Sequence, residues 1–157
     1  MFSITTDRKA MKIKMKENAM ISLKTLQNID GDEEVNEIEL QTQGKFAEKN
    51  GKFYIIYQES ELTGFEDTTT TIKVSEDSVS MTRTGKYNSK MVFRRGEKCL
   101  CSYATPYGVI PVGVNPTLLE SKMDDQGGKV NIEYILDIDN RDYLKNRLNL
   151  TVTKTTN

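Results

Sequence analysis

Short runs of alternating apolar and polar residues, separated by turn signals, dominate this sequence. In the clearest run, Val130–Ile138, every second side chain is apolar. Successive side chains of a strand point to opposite faces, so this alternation predicts a strand with one buried face. About ten strand-like runs follow one another at a spacing of roughly 8–12 residues, which indicates an all-β barrel or sandwich.

The links between the runs favour a barrel. Asn50-Gly51 is the strongest hairpin signal, because both central positions of a type I′ turn need a positive φ. Nearly every other link is also of hairpin length, and short links favour an up-and-down meander. A long meander removes its exposed edges best by closing on itself. We therefore predict an all-β fold, a single closed antiparallel meander barrel of about 8–10 strands in one domain.

Three segments depart from the simple strand pattern. Pro111 and Pro116 cannot donate ladder hydrogen bonds, so we expect a bulge, a break or an edge within Val109–Met123. Gly44 predicts a bulge in the second strand. The Asp142–Asn149 segment could hold a helical turn before the last strand.

The residue content argues against several kinds of chemistry. The chain has no histidine, so Ser–His–Asp and Cys–His nucleophilic sites cannot be built within it. It also lacks GxxxxGK[ST] and GxGxxG patterns. Cys99 and Cys101 lack the additional ligands that a four-coordinate zinc site requires, and we expect buried or half-buried free thiols, with a redox or metal pair as the alternative. We predict no enzyme activity, no cofactor and no metal.

Net charge and hydropathy indicate whether the protein binds nucleic acid or membranes. A net charge of −1 gives little support to nucleic-acid binding, which relies on clustered Lys and Arg. Lys12, Lys14 and Lys16 form a period-two stripe, which indicates either edge protection or a basic binding stripe. No run approaches the ~18 apolar residues of a membrane span, and residues 1–10 lack the apolar core of a signal peptide. We expect a cytoplasmic protein that does not bind membranes.

Four segments resemble the DUF1934 family in their order and spacing: Thr69–Val74, Thr105–Gly108, Asp125–Val130 and Ile132–Leu136. The resemblance covers roughly Met11 to Val152. It implies a calycin-like, lipocalin-type β-barrel and brings no catalytic residues to carry over. Residues 1–10 precede the usual family start, so we assign them to a flexible N-terminal extension and residues 11–157 to the barrel.

A lipocalin-type barrel has an interior that is either filled by side chains or able to hold one small ligand. The candidate lining residues at the interior or mouth are polar or aromatic strand positions: Tyr57, Glu59, Thr69, Thr71, Arg83, Phe93, Tyr103 and Tyr107. A buried Arg among carboxylate and tyrosine hydroxyl groups would anchor an anionic or polar ligand in an enclosed cavity beyond about 300 Å³. The alternative is that these groups satisfy one another as a structural network, with Arg83 pairing Glu59 or lying outside.

A protein-interaction module is the second functional hypothesis. The Phe53–Leu62 run is apolar on both faces, which predicts an exposed apolar patch on a monomer or strand-edge pairing in a homodimer.

Overall fold

The computed structural model of the protein describes residues 16–29, 35–105, 107–138 and 142–155. Ten strands and one short 3₁₀-helix occur in these ranges. In chain order they are β1 (Ala19–Ile29), β2 (Asn36–Lys49), β3 (Lys52–Gln58), the 3₁₀-helix (Glu61–Thr63), β4 (Thr68–Val74), β5 (Ser78–Gly85), β6 (Ser89–Arg94), β7 (Cys99–Thr105), β8 (Gly108–Asp124), β9 (Gly127–Ile138) and β10 (Asp142–Lys154).

The strands form one closed antiparallel meander barrel. Each strand pairs with the next in the chain, and β1 pairs with β10 as well as with β2. The β1–β10 ladder runs from Ala19 opposite Lys154 to Ile29 opposite Leu144, so it closes the sheet along nearly its full height. The predicted all-β closed barrel is confirmed.

The inward faces of the strands form a single core. The alternation in β9 predicted this correctly: Val130, Ile132 and Leu136 are buried and Tyr134 packs against them. Ile21 of β1 and Ile55 of β3 are fully buried in this core. Removing an aliphatic side chain of this kind from water contributes about 1.5–3 kcal/mol, so the filled part of the barrel dominates the stability.

Two glycine positions have clear structural reasons. Asn50 and Gly51 both have positive φ, at 55° and 76°, and join Lys49 to Lys52 in the predicted tight hairpin. Gly44 lies in a regular part of the β1–β2 ladder, so the bulge expected there is wrong. A Cβ at Gly44 would collide with the side chain of Ile21 and the carbonyl oxygen of Ile56, and this close approach explains the glycine.

Two of the irregularities expected from sequence lie in β8 and β10, and only the one in β8 is present. In β8 the pairing with β9 shifts its register between Pro116 and Leu118, which confirms the predicted irregularity. Asp142–Asn149 pairs with β9 as a regular strand, so the expected helical turn is wrong. The leucines of β10 at 144, 148 and 150 have even spacing and belong to the inward face, and this burial overrides any local helical preference.

Of the lysine stripe, only Lys16 falls within the described residues, and it does not lie on a sheet edge. Lys16 is exposed and precedes β1, which has a partner on both sides. Lys12 and Lys14 lie outside the described residues, as does the extension assigned to residues 1–10.

The ladder between β6 and β7, which we call the β6–β7 seam, has the fewest paired residues of the barrel. Lys90 and Ser102 form its single paired position, whereas the other ladders contain five or more. Side chains complete the contact: the backbone N–H of Val92 donates to Cys101 Sγ at 3.4 Å, and that of Lys90 donates to Ser102 Oγ at 3.3 Å. Here the barrel is held partly by side chain–backbone bonds.

Candidate functional site

One end of the barrel interior contains a cavity of about 290 Å³ that is partly open to solvent; we call it the open-end cavity. Its size is near the lower limit of typical small-molecule sites. Its apolar wall comes from inward-facing residues, and polar side chains surround them. The lining residues are Leu23, Thr25, Gln27, Asn36, Ile38, Glu59, Thr63, Phe65, Met81, Arg83, Met91, Tyr103, Ala104, Tyr134, Asn146 and Leu148.

A row of polar side chains crosses three neighbouring strands on one side of this end. Tyr57 on β3 lies opposite Thr70 on β4, and Thr70 lies opposite Arg83 on β5. Directly opposed residues of a sheet point to the same face, so all three face the interior. Glu59 follows Tyr57 at a spacing of two and therefore joins the row.

The carboxylate of Glu59 accepts the hydrogen bonds in this row. Its side chain is 1% exposed. Thr63, at the end of the 3₁₀-helix, donates a hydroxyl hydrogen bond to Oε1 at 2.8 Å, and the Thr70 hydroxyl donates to Oε2. Arg83 Nε lies 3.7 Å from Oε2. The carboxylate is thus both hydrogen-bonded and electrostatically paired, which is what a buried charge requires.

Arg83 is less well satisfied than its carboxylate partner. Its side chain is 13% exposed, and its guanidinium carbon lies 4.1 Å from the centre of the Phe65 ring. Nε is buried without a hydrogen bond, and the 3.7 Å contact with Glu59 is beyond hydrogen-bonding range. Among the described residues, the guanidinium therefore has a charge partner and a stacking partner but no hydrogen-bonding partner.

Tyr57 adds a second unsatisfied group to the row. Burial raises the pKa of its phenol far above the usual value, and the Glu59 charge adds to this effect. The hydroxyl lies near Glu59 and Thr70 but makes no well-formed hydrogen bond. It is neutral at every physiological pH.

Two further tyrosines line the cavity on another part of the wall. Tyr134 lies on β9, with its ring centre 4.7 Å from that of the core residue Phe93. Burial is the main cause of its raised pKa, the neighbouring Tyr103 raises it further, and Arg83 opposes the rise. Tyr103, Tyr134 and Arg83 all line this one cavity.

The amide groups at the cavity are largely paired with each other. Gln27 Nε2 donates to Asn146 Oδ1 at 2.7 Å, and Asn146 Nδ2 donates to the carbonyl oxygen of Leu144 at 2.9 Å. Gln27, Asn146 and Tyr134 form another cross-strand row over β1, β10 and β9. The amides stabilise the wall and leave few free acceptors.

The structure brings together some of the residues proposed from sequence. Glu59, Arg83 and Tyr103 line the cavity, Tyr57 lies beneath Glu59 in the polar row, and Phe93 is fully buried in the core behind Tyr134. The expected pairing of Arg83 with Glu59 is present.

Three of the proposed residues are misplaced. Thr69 and Thr71 face outward, because the inward face of β4 consists of Thr68, Thr70, Ile72 and Val74. Thr69 instead donates to Gln58 on the outer surface. Tyr107 is 99% exposed and does not line the open-end cavity.

Sequence reasoning missed several members of the site. Thr70 could have been found from the parity of Ile72 and Val74, since residues two apart share a face. Thr63 and Phe65 lie in the β3–β4 connection, and no periodic signal assigns the residues of such a loop to an interior.

The outer surface carries an apolar patch on the β7–β8 hairpin, which we call the hairpin patch. Leu100 is 88% exposed, Val109 is 53% exposed, and Tyr107 is nearby in the turn. By contrast, β3 buries Ile55 and Tyr57 and leaves Tyr54 and Ile56 half-buried on its outer side. The patch therefore occurs elsewhere than on the predicted two-faced strand.

Other hollows are shallower than the open-end cavity. They reach about 540 Å³ beside the β6–β7 seam and 380 Å³ at the opposite end, but they are more open and lack converging polar groups. Within the described ranges no cluster of metal-binding side chains occurs, and Cys99 and Cys101 are free and half-buried. In the same ranges no helix has the length and apolar character of a membrane span.

Fold and cavity together define a class, that of closed antiparallel meander barrels with a small interior cavity at one end. The chain belongs to the DUF1934 family, described as a domain of unknown function, which it matches over residues 21–150. This confirms the resemblance drawn from its sequence motifs.

Two comparisons with Bacillus subtilis YwiB agree with this assignment. The chain is 29% identical over 142 residues to the uncharacterized beta-barrel protein YwiB of strain 168, covering 88% of this chain and 95% of that protein. It also resembles the crystal structure of the ywiB protein, with a TM-score of 0.75 at 22% identity over 93% of this chain and 99% of the other. The structural likeness supports the barrel fold.

Proposed function

We propose that this protein is a non-catalytic barrel that binds one small amphipathic molecule in the open-end cavity. The observation that carries the proposal is the cavity itself, about 290 Å³ of unfilled interior beside a polar row whose groups are incompletely satisfied. Buried polar groups are normally hydrogen-bonded, so unsatisfied ones beside an empty volume favour a ligand. The structural-network alternative accounts for Glu59 but leaves Arg83 and Tyr57 without hydrogen bonds.

The apolar wall specifies the body of the ligand. Leu23, Leu148, Met81 and Met91 line the cavity from four strands. Thioether side chains adapt their shape easily, so Met81 and Met91 would accommodate a short aliphatic or aromatic group. Such a ligand would have its polar group near Arg83 and its apolar part towards the core.

Methionine methyl NMR tests this proposal directly. The protein would be labelled at its methionine methyl groups and titrated with two six-carbon probes, 1-hexanol and hexanoate, at millimolar concentration. We expect saturable shifts of the Met81 and Met91 signals, while the outward-facing Met20 and the opposite-end Met123 serve as internal controls. The absence of any saturable shift with both probes would contradict the proposal.

A cavity-filling pair of variants sharpens the test. Thr25 lines the cavity and Thr151 lies on the outward face of β10, and both are half-buried. Thr25→Met should abolish the probe-induced shifts because the longer side chain occupies the cavity, whereas Thr151→Met should retain them. Equal retention in both variants would place the binding elsewhere.

The hairpin patch supports an alternative function, which is self-association without a small ligand. Leu100, Tyr107 and Val109 together expose apolar surface of the kind that marks an interaction site. Under this alternative, light scattering coupled to size exclusion would give a dimer for the protein and a monomer for Leu100→Ser. Leu62→Ser, at an exposed leucine of the 3₁₀-helix, is the matched control. A monomer at all concentrations would remove the alternative.

We also propose a cytoplasmic location. Two free, half-buried thiols suit a reducing compartment. Fractionation of the native host with a specific antibody would test it, and recovery from an extracellular fraction would contradict it.

A further inference from the structure

Around the open-end cavity, the available hydrogen-bond donors outnumber the hydrogen-bond acceptors that are still free. Arg83 carries five N–H donors, none of which is hydrogen-bonded within the described residues. The acceptor atoms of Glu59 are already used by Thr63 and Thr70, and the amide of Asn146 is paired on both sides. A ligand that completes the site must therefore supply acceptors.

The orientation of Arg83 restricts the kind of acceptor. One face of the guanidinium is covered by Phe65, and Nε is directed towards Glu59. The two terminal nitrogens of the guanidinium are then the atoms that can bind a ligand. A guanidinium edge matches a planar carboxylate through two parallel N–H···O bonds, which a single hydroxyl oxygen cannot reproduce.

Two tyrosine hydroxyls could also donate hydrogen bonds to a ligand beside Arg83. Tyr103 and Tyr134 line the same cavity as Arg83, and no protein group among the described residues accepts a hydrogen bond from either hydroxyl. Burial keeps Tyr134 neutral, so its hydroxyl retains the proton needed to donate.

We propose that the ligand is a small organic acid whose carboxylate binds Arg83 and accepts hydrogen bonds from Tyr103 and Tyr134. The inference rests on the proposed function, since it names the ligand class of the same cavity. Glu59 serves as a positioning residue, because its contact with Nε fixes the guanidinium while leaving the terminal nitrogens available. The carboxylate of the ligand approaches the opposite edge, away from the Glu59 oxygens.

The test compares three probes with the same carbon chain: hexanoate, hexanamide and 1-hexanol. Titration of the full chain at pH 7 should give binding of hexanoate at least about tenfold tighter than binding of hexanamide, a difference of about 1.4 kcal/mol. Equal or tighter binding of the amide would overturn the inference while leaving the cavity function intact. Failure of all three probes would instead overturn the proposed function.

Variants assign the preference to Arg83. Glu59→Gln combined with Arg83→Met removes both charges together, so no buried charge is left unpaired. We expect the double variant to lose the preference for hexanoate and to retain 1-hexanol binding, with Arg147→Met on the outer wall as the control. Persistence of the preference would overturn the inference.

Two tyrosine-to-phenylalanine variants test the inference even if the Glu59→Gln/Arg83→Met double variant does not fold. Tyr103→Phe and Tyr134→Phe each remove one proposed donor and little volume. Each should weaken hexanoate binding several-fold and leave 1-hexanol binding unchanged, because a charged acceptor loses more than a neutral one. Equal effects on both probes, or no effect, would contradict the proposed role of the phenols.

Discussion

Arg83 and Glu59 face each other inside the barrel with 3.7 Å between Nε and Oε2, close enough for charge attraction and too far for a hydrogen bond. Glu59 is satisfied by threonine hydroxyls, whereas Arg83 depends on this contact and on Phe65. The pair thus holds a buried positive charge whose hydrogen-bonding capacity is still available, and the first prediction concerns its energetics.

Removing the carboxylate charge should destabilise the protein. Glu59→Gln leaves the largely buried Arg83 without a counter-charge, and we expect a loss of about 2 kcal/mol in the free energy of unfolding, measured by urea denaturation. Adding Arg83→Met should recover most of it. Glu133→Gln, in the exposed pair with Arg147, should change stability by less than about 0.5 kcal/mol. A Glu59→Gln variant as stable as that control would contradict the prediction.

The unsatisfied hydroxyl of Tyr57 should be dispensable. Because its phenol is buried without a well-formed hydrogen bond, Tyr57→Phe should leave the free energy of unfolding unchanged or raise it by up to about 1 kcal/mol. Tyr54→Phe on the outer face is the control. A loss above 1 kcal/mol in thermal or urea unfolding would show that the hydroxyl has a partner in solution.

The buried tyrosines should also make stability fall at alkaline pH. The folded-state pKa values of Tyr57 and Tyr134 are raised above the value in the unfolded chain, near 10. Their contribution is therefore fully present below pH ~10 and is lost as pH rises above it, because the unfolded chain releases the protons first. Urea unfolding between pH 8 and 11 should show a shallower decline for Tyr57→Phe and Tyr134→Phe than for the unmodified protein. Identical slopes would disagree with the burial of these phenols.

The β6–β7 seam should depend on one thiol. Cys101→Val removes the acceptor of the Val92 backbone N–H, so hydrogen exchange at Val92 should accelerate roughly tenfold, equivalent to 1.4 kcal/mol of local opening. Cys99→Val is the matched control, because Cys99 is also half-buried and its thiol makes no such bond. Equal exchange in the two variants would mean that the seam is held by other contacts.

Two glycine-to-alanine changes should differ in cost. At Gly44 the added Cβ meets a backbone carbonyl and a core side chain, and we expect a loss of about 1–3 kcal/mol. At Gly113 it meets the end of Lys98, a flexible chain that can move aside. The smaller loss expected there comes from disturbing the 2.7 Å ion pair of Lys98 with Asp137. Thermal unfolding of both variants checks the order, and a reversed order would contradict this account.

Local sequence patterns were sufficient to predict the fold class, the Asn50-Gly51 hairpin, the interior face of β9 and the irregularity in β8. Side-chain periodicity and turn chemistry are local properties of a chain. The alternation also indicated Tyr57, Arg83 and Tyr103 on their strands, and Glu59, which follows Tyr57 at the same spacing of two. The four consecutive threonines of β4 contain no alternation of their own, and the adjacent isoleucine and valine were needed to set their face. The threonine run alone therefore does not distinguish Thr70 from Thr69 and Thr71.

How these groups meet inside the barrel depends on contacts between strands that are distant in the chain. The cross-strand register puts Tyr57, Thr70 and Arg83 in one row, and the β3–β4 connection brings Thr63 to Glu59 and Phe65 to Arg83. The same register leaves Tyr107 in solvent and reduces the β6–β7 ladder to one paired position. These outcomes depend on how far each strand slides past its neighbour when the barrel closes. That offset is set by the packing of the whole core, which no local pattern in the chain contains.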